Sequence, residues 1–293
     1  MCQVGGITIK NKEYSEHTRK YLESLGVTNY QSHYKVPCGQ CKDCLQARAN
    51  SWLVRLRSHM KDTYSSYFVT LTYENPPRTF NGLFTAKKDD IQRYFKRLRK
   101  IENDNTNIKY YAVSEYGEQY QRPHYHAIIF NVNDRRSILR AWAPNDILIG
   151  QVHIGDVTSA SIKYVSGYIG KKIGIPQYDY DDRLPEFSLM SKGLGVNMLD
   201  YQGDFLKDTL TPYTYVDGIK YPIPRYIKDK LFGKTFDRHL LKLKTFEYYE
   251  KRQLQIETTL INRGISPFDI ASLSVDACQN AKQNSFYNDK IIS

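Results

Sequence analysis

The chain has 293 residues, 41% of them hydrophobic, and a formal net charge of +11. That length holds one large domain or two modest ones with a real core, and the charge calls for an acidic partner, nucleic acid before a membrane surface. No apolar run approaches the ~20 residues of a membrane span, and the start, Met1 to Gly6, lacks the basic and apolar regions of a signal peptide.

Residues 1–37 are irregular and polar, with a few short strand candidates. Cys38, Cys41 and Cys44 then form a C-x-x-C-x-x-C cluster. Five cysteines without a secretion signal argue against a disulfide framework. Three thiolates at this spacing suit a structural Zn2+, with Cys2 as a fourth ligand. An iron–sulfur cluster is the second reading, and three reduced thiols at a helix start the plainest one. Over residues 42–60, Leu45, Ala49, Trp52, Leu53, Leu56 and Met60 recur at helical spacing. Arg48, Arg55 and Arg57 lie off that stripe, on a solvated or phosphate-facing side.

Residues 68–73 alternate and are rich in β-formers, so they read as a strand that Asn75-Pro76-Pro77 ends. Thr85 can cap a helix from Ala86 to Ile101. Its core face is Ile91, Tyr94, Phe95, Leu98 and Ile101, and its other positions are basic. Of these, Arg97, Arg99 and Lys100 are candidates for phosphate contact. Residues 109–114 read as a strand, Gly117 marks a turn, and 125–132 supply the partner limb. A short helix over 135–142 and a strand over 151–154 follow. Thr158 or Ser159 can cap a helix running to about Lys172, whose Lys172 is a further DNA-contact candidate. Gly174, Pro176 and the acidic stretch at 179–182 mark a boundary. Beyond it, 183–235 are rich in Gly, Pro and Tyr, 237–262 read as one long charged helix, and the remainder is polar. The division is 1–60, 61–176 and 177–293.

Two constellations carry chemistry. In Arg122-Pro123-His124-Tyr125-His126, strand alternation points both imidazoles to one side, where they can bind one ion. A third, oxygen ligand is expected, with Glu115 ahead of Glu118. On the helix after Thr158, at about 100° per residue, Ile162, Val165, Ile169 and Ile173 fall on one side. Tyr164, Tyr168 and Lys171 fall on the other. A phenol is a weak nucleophile at a free pKa of about 10, so it needs a polarised electrophile. A divalent ion on the histidines can polarise a phosphate, and a lysine can stabilise the charge that develops.

The order of strand, basic helix, Glu-bearing strand, His strand and tyrosine helix resembles the HUH endonucleases, U being a bulky apolar residue, here Tyr125. More narrowly, the chain resembles the rolling-circle replication initiators of gokushovirus-type microviruses. The matching segments include Pro37 to Cys44, Phe68 to Tyr73, Phe95 to Lys100, Glu115-Tyr116-Gly117, Arg122 to His126 and Tyr164 to Lys172. Ser191 to Gly195 and Pro224-Arg225-Tyr226 match less specifically. The resemblance implies an α+β fold with a five-stranded antiparallel sheet, an RRM/ferredoxin-like palm, flanked by helices, with the histidines on a central strand. It implies metal (Mg2+ or Mn2+) on His124, His126 and Glu115, nucleophiles Tyr164 and Tyr168, and Lys171 as electrostatic aid. Tyr168 with Lys171 matches the Y-x-x-K of one-tyrosine relatives, which implies that Tyr168 makes the first cut. Implied partners are single-stranded or supercoiled phage origin DNA with host helicase and polymerase, in the host bacterial cytoplasm and without a membrane. The competing readings are a non-catalytic RRM-like binding module with a zinc-bound N-terminal segment, which explains charge and tyrosines, and a relaxase or transposase on the same fold. Gly233-Lys234-Thr235 lacks the earlier glycine of a phosphate-binding loop, which argues against a fused helicase.

Overall fold

A computed structural model of the chain describes residues 7–10, 20, 33–39, 41–103, 106–168, 175–233 and 236–266. The chain divides into two units, Met1–Leu45 with Glu257–Ser293, and Gln46–Ile256. In the first, β1 (Ile7–Lys10) pairs antiparallel with β2 (His33–Val36), Ile7 opposite Val36. The cysteine loop follows and leads into α1 (Lys42–Met60).

The second unit is built on one antiparallel sheet. After α1, its elements are β3 (Ser66–Thr72), α2 (Lys88–Ile101), β4 (Lys109–Tyr116), β5 (Pro123–Phe130), α3 (Arg135–Ala141), β6 (Val152–Asp156), α4 (Ser159–Gly167) and β7 (Ser188–Met190). The strand order is β6-β3-β5-β4-β7, so β5 is central. This is the α+β, five-stranded antiparallel arrangement expected. Its fifth strand, β7, comes from the glycine-, proline- and tyrosine-rich segment past residue 176. Proline at the first position of β5 withholds no ladder hydrogen bond from the strand interior.

Period-two alternation splits these strands between two faces. Val69, Leu71, Ala112, Tyr125, Ala127 and Ile129 bury against Ile91, Tyr94, Phe95 and Leu98 of α2, Ile138 and Ala141 of α3, and Trp142. The Trp142 indole N–H donates to Thr72 O at 2.9 Å. Each large apolar side chain buried there contributes roughly 1.5–3 kcal/mol. Phe68, Thr70, Tyr111, Glu115, His124 and His126 fall on the opposite face. Trp52 of α1 packs on Tyr111 there, ring centroids 4.6 Å apart.

The expected Thr85 cap is not formed. α2 begins at Lys88 without a side-chain cap. The sheet tyrosines take the entry N–H groups instead, Ala86 N donating to Tyr116 Oη at 3.0 Å and Lys87 N to Tyr125 Oη at 2.9 Å. Thr85 Oγ1 accepts from Leu184 N. Arg55 is neither solvated nor phosphate-facing. Its guanidinium lies between Trp52 (4.0 Å) and Tyr226 (4.1 Å), and Nε donates to Leu194 O at 3.0 Å. Burial holds its pKa below the ordinary arginine value.

Those contacts clasp the later segment onto α1. At Gly195 (φ +74°) an added Cβ would stand 2.6 Å from Arg55 O, so the close approach requires glycine. The elements that follow are α5 (Met198–Thr209), the hairpin β8 (Tyr213–Val216) and β9 (Ile219–Pro222), α6 (Arg225–Phe232) and α7 (Phe236–Asn262). Val54, Met198, Leu206, Ile223 and Ile227 form a second small core between them and α1.

Candidate metal and tyrosine site

Register assembles the metal candidate. Across β4 and β5, Glu115 stands opposite His124, and across β3 and β5, Thr70 stands opposite His126. The strand β4 runs to Tyr116, past the expected end at Ser114, so Glu115 is held within the ladder. Glu118 sits exposed in the turn and is not brought to the histidines. Glu115, His124 and His126 offer one ligand atom each within 4.8 Å of one another.

Second partners orient both imidazoles. His124 Nδ1 faces Arg122 O at 3.3 Å, and His126 Nδ1 faces Thr70 Oγ1 at 3.0 Å. With Nδ1 the protonated nitrogen, a neutral imidazole keeps its lone pair on Nε2, aimed inward. His124 Nε2 lies 3.0 Å from Glu115 Oε2, and His126 Nε2 lies 2.9 Å from the same oxygen. His126 Nε2 is buried and off the angle of a formed hydrogen bond. Two lone pairs and a carboxylate that face one another need a cation between them, a proton or a metal ion. The donor set of two imidazoles and one carboxylate oxygen therefore fits a divalent ion with positions left open. Phe68 stacks on the His126 ring, centroids 5.8 Å apart and 3° between planes.

Both tyrosines reach this cluster. Thr158 caps α4 with a reciprocal Ser161 bond, which fixes the phase of the helix. Ile162 and Val165 are fully buried, so Tyr164 and Tyr168 turn toward the sheet. Tyr168 Oη donates to Glu115 Oε1 at 2.5 Å and lies 2.5 Å from Tyr164 Oη, and Tyr164 Oη lies 3.5 Å from Glu115 Oε2. The two differ in access, Tyr164 being 42% exposed and Tyr168 8%.

Burial opposes ionisation of Glu115, but the hydrogen bonds of His124, His126 and Tyr168 outweigh it and hold the carboxyl well below its usual range. Burial, then the Glu115 carboxylate and the Tyr164 hydroxyl, push the Tyr168 phenol up. Burial also raises Tyr164, partly offset by its bond with Tyr168. Both phenols are thus protonated at neutral pH beside a charged carboxylate.

Lys171 and Lys172 lie outside the described residues, as do Ile169 and Ile173 of the predicted apolar stripe. Arg97, Arg99 and Lys100 ride on α2, which covers the other face of the sheet, and are not brought to the histidines. Arg97 Nε donates to Ala141 O at 2.7 Å, and the Arg99 guanidinium sits 5.4 Å from the Tyr110 ring centroid. In the first unit, Cys38, Cys41 and Cys44 converge, their sulfurs within 4.8 Å of one another. Cys41 N donates to Cys38 Sγ at 3.3 Å. Cys2 lies outside the described residues. Sequence reasoning missed Thr70 and Phe68 as partners of His126. Alternation in residues 68–73 could have placed them on its face.

A palm of this strand order, with paired histidines and a carboxylate at its centre and phenols over them, defines a class of site suited to phosphate chemistry. Known proteins place the chain within a family. The model of the Replication-associated protein ORF2 family matches residues 66–173, which hold four strands of the sheet, the histidines and both tyrosines. Replication-associated protein ORF2 of Spiroplasma virus 4 is 30% identical over 261 residues, covering 81% of this chain and 79% of that protein. Replication-associated protein ORF4 of Chlamydia phage 1 is 27% identical, covering 72% of this chain and 58% of that protein. Replication-associated protein VP4 of Bdellovibrio phage phiMH2K is 25% identical, covering 70% of each. No solved structure matches. The chain belongs to this family of phage replication-associated proteins, as its resemblance to microvirus initiators led one to expect, and its role is in phage replication.

Proposed function

We propose that the protein nicks and rejoins single-stranded phage origin DNA through a 5′-phosphotyrosine link, and so starts and ends rolling-circle replication. The observation that carries this reading is the convergence of two phenols on the carboxylate shared by His124 and His126. Glu115, His124 and His126 hold the metal, Mg2+ or Mn2+, which when bound supplies Lewis-acid polarisation of a phosphate oxygen. The Tyr168 oxygen attacks the phosphorus, the bond to the 3′ oxygen breaks, and that oxygen leaves as a hydroxyl. The phenol proton departs along the 2.5 Å bond to Glu115 Oε1. Tyr168, hydrogen-bonded directly to Glu115, makes the first cut. Tyr164, the more exposed, takes the regenerated junction. The released 3′ end then displaces the first tyrosine and closes the circle, so the phosphodiester energy is conserved without ATP. The free 3′ hydroxyl primes a host polymerase while a host helicase opens the duplex, in the host bacterial cytoplasm. Lys171 stabilises the developing charge, and the Cys38, Cys41 and Cys44 thiolates hold a structural Zn2+ with Cys2 as fourth ligand.

The test is to mix the protein with single-stranded origin DNA and Mn2+ or Mg2+ and to look for a covalent protein–DNA band. Tyr168→Phe should remove the first adduct, Tyr164→Phe should leave it but block rejoining, and the double variant should form none. An adduct that survives the double variant overturns the mechanism. Zinc content that is unchanged by Cys38→Ser and Cys41→Ser overturns the metal assignment of the cluster.

A further inference from the structure

Away from the histidines, a cleft of ≈ 380 Å³ opens between the C-terminal end of α1, helix α5 and strand β8. That volume lies within the range of sites that hold small organic ligands, roughly 300–1,000 Å³. Its walls carry two tyrosines that the cores do not absorb, Tyr201 at 40% and Tyr215 at 59% exposure. The Lys61 ammonium stands 4.5 Å from the Tyr201 ring centroid, and Arg57 lines the same cleft. Aromatic faces interleaved with cations are what a base and its phosphate require.

The cleft is tied to the tyrosine helix. Asp217, in the turn between β8 and β9, accepts from Ser159 Oγ of α4 at 2.8 Å and pairs with Arg57, which neutralises it. A smaller cavity adjoining the first is lined by Lys163, Ser159, Arg57 and Asp217. Lys163 is exposed and is the immediate neighbour of Tyr164. Ser159 and Tyr164 are five residues apart, about 7.5 Å along a helix axis. Cations at 163, 57 and 61 thus mark a path from the exposed nucleophile candidate to the aromatic cleft.

We infer that this cleft binds unpaired nucleotides of the DNA strand held at the tyrosines, with a base stacked on Tyr215 or Tyr201 and its phosphate against Lys61. The inference rests on DNA being the substrate, as proposed above. Duplex DNA keeps its base faces stacked on one another, so the site selects the single-stranded form. The net charge of +11 gives the long-range attraction, and the rings give the local preference.

Binding of a fluorescent oligothymidylate to the full chain in EDTA tests this without any cleavage. Tyr215→Ala should weaken binding roughly 5- to 150-fold, the range for loss of one stacked base, and Tyr215→Phe should restore it. Lys61→Ala should weaken binding and flatten its salt dependence. A bromodeoxyuridine strand should photocrosslink at Tyr215 or Tyr201. Unchanged affinity in the folded Tyr215→Ala Lys61→Ala double variant, or an equal loss for duplex DNA, overturns the inference. If the nicking reading fails instead, no adduct forms with metal present while the Tyr215→Ala binding loss persists.

Discussion

Tyr125 and His126 are neighbours on β5, yet they serve opposite faces of one sheet. Tyr125 is fully buried beneath α2 and α3, and its hydroxyl is used up on Lys87 and Tyr73. His126 points the other way, to Thr70, Glu115 and the tyrosines of α4. One face is closed by apolar side chains from two helices, and the other gathers polar groups whose charges face one another. A single strand can therefore supply rigidity and chemistry at alternate residues. The sealed face fixes β5, and that fixes the histidines to within the tolerance that metal geometry demands.

Substitutions on adjacent positions would sharpen or break this contrast. The largest effect is expected at His126→Ala, with covalent adduct formation down at least ~100-fold and little change in the urea midpoint. A variant that unfolds as readily as it loses activity would mean that the open face is structural. Tyr125→Ala should do the reverse, at a stability cost of about 3–5 kcal/mol. Adduct yield per folded molecule, measured below the unfolding transition, should stay close to that of the unaltered chain.

At the margin of the sealed face, Asp181 and Arg183 form a buried bidentate pair, with bonds of 2.7 and 2.6 Å. The Arg183 hydrogen bonds hold the Asp181 carboxyl below its ordinary 3.8, against a smaller opposing effect of burial. A depressed carboxylate stabilises the fold fully above its unfolded value, and that contribution is lost as pH falls through the folded one. Acid unfolding followed by circular dichroism should show a loss beginning below that value. Asp181→Asn should remove that part of the pH dependence and cost about 3 kcal/mol near neutrality. The smallest effect is expected on α2. Arg99→Ala with Lys100→Ala should change oligothymidylate affinity less than about threefold at moderate salt, because these cations lie across the sheet from the site. A drop on the scale of several lost phosphate contacts would show that DNA wraps to the sealed face.

Much of the sheet could be read in advance because alternation is local. Residues 68–73 and the H-x-H run announce which side chains share a face without reference to any neighbour. Helical phase did the same for Ile162, Val165 and Tyr164. The cap at Thr85 and the environment of Arg55 were not legible. The first was settled by hydroxyls from β4 and β5 reaching the entry of α2, the second by a segment about 140 residues downstream folding back onto α1. Exposed Tyr201 and Tyr215 carried no sequence signal, since nothing local distinguishes them from the chain's other tyrosines.

By itself, the sequence determined the chemistry on offer: two imidazoles on one side of a strand, two phenols on one side of a helix, three thiols in a short loop, and a strongly cationic chain. These follow from residue type and from backbone periods of 2 and 3.6. Tertiary structure alone decided which groups meet. Register chose Glu115 over Glu118, since pairing across the β4–β5 turn puts position 115 opposite His124. Packing put the basic helix on the far face and sank Tyr168 deeper than Tyr164. Register and face are set by burying apolar area between distant segments, which no short window of sequence contains.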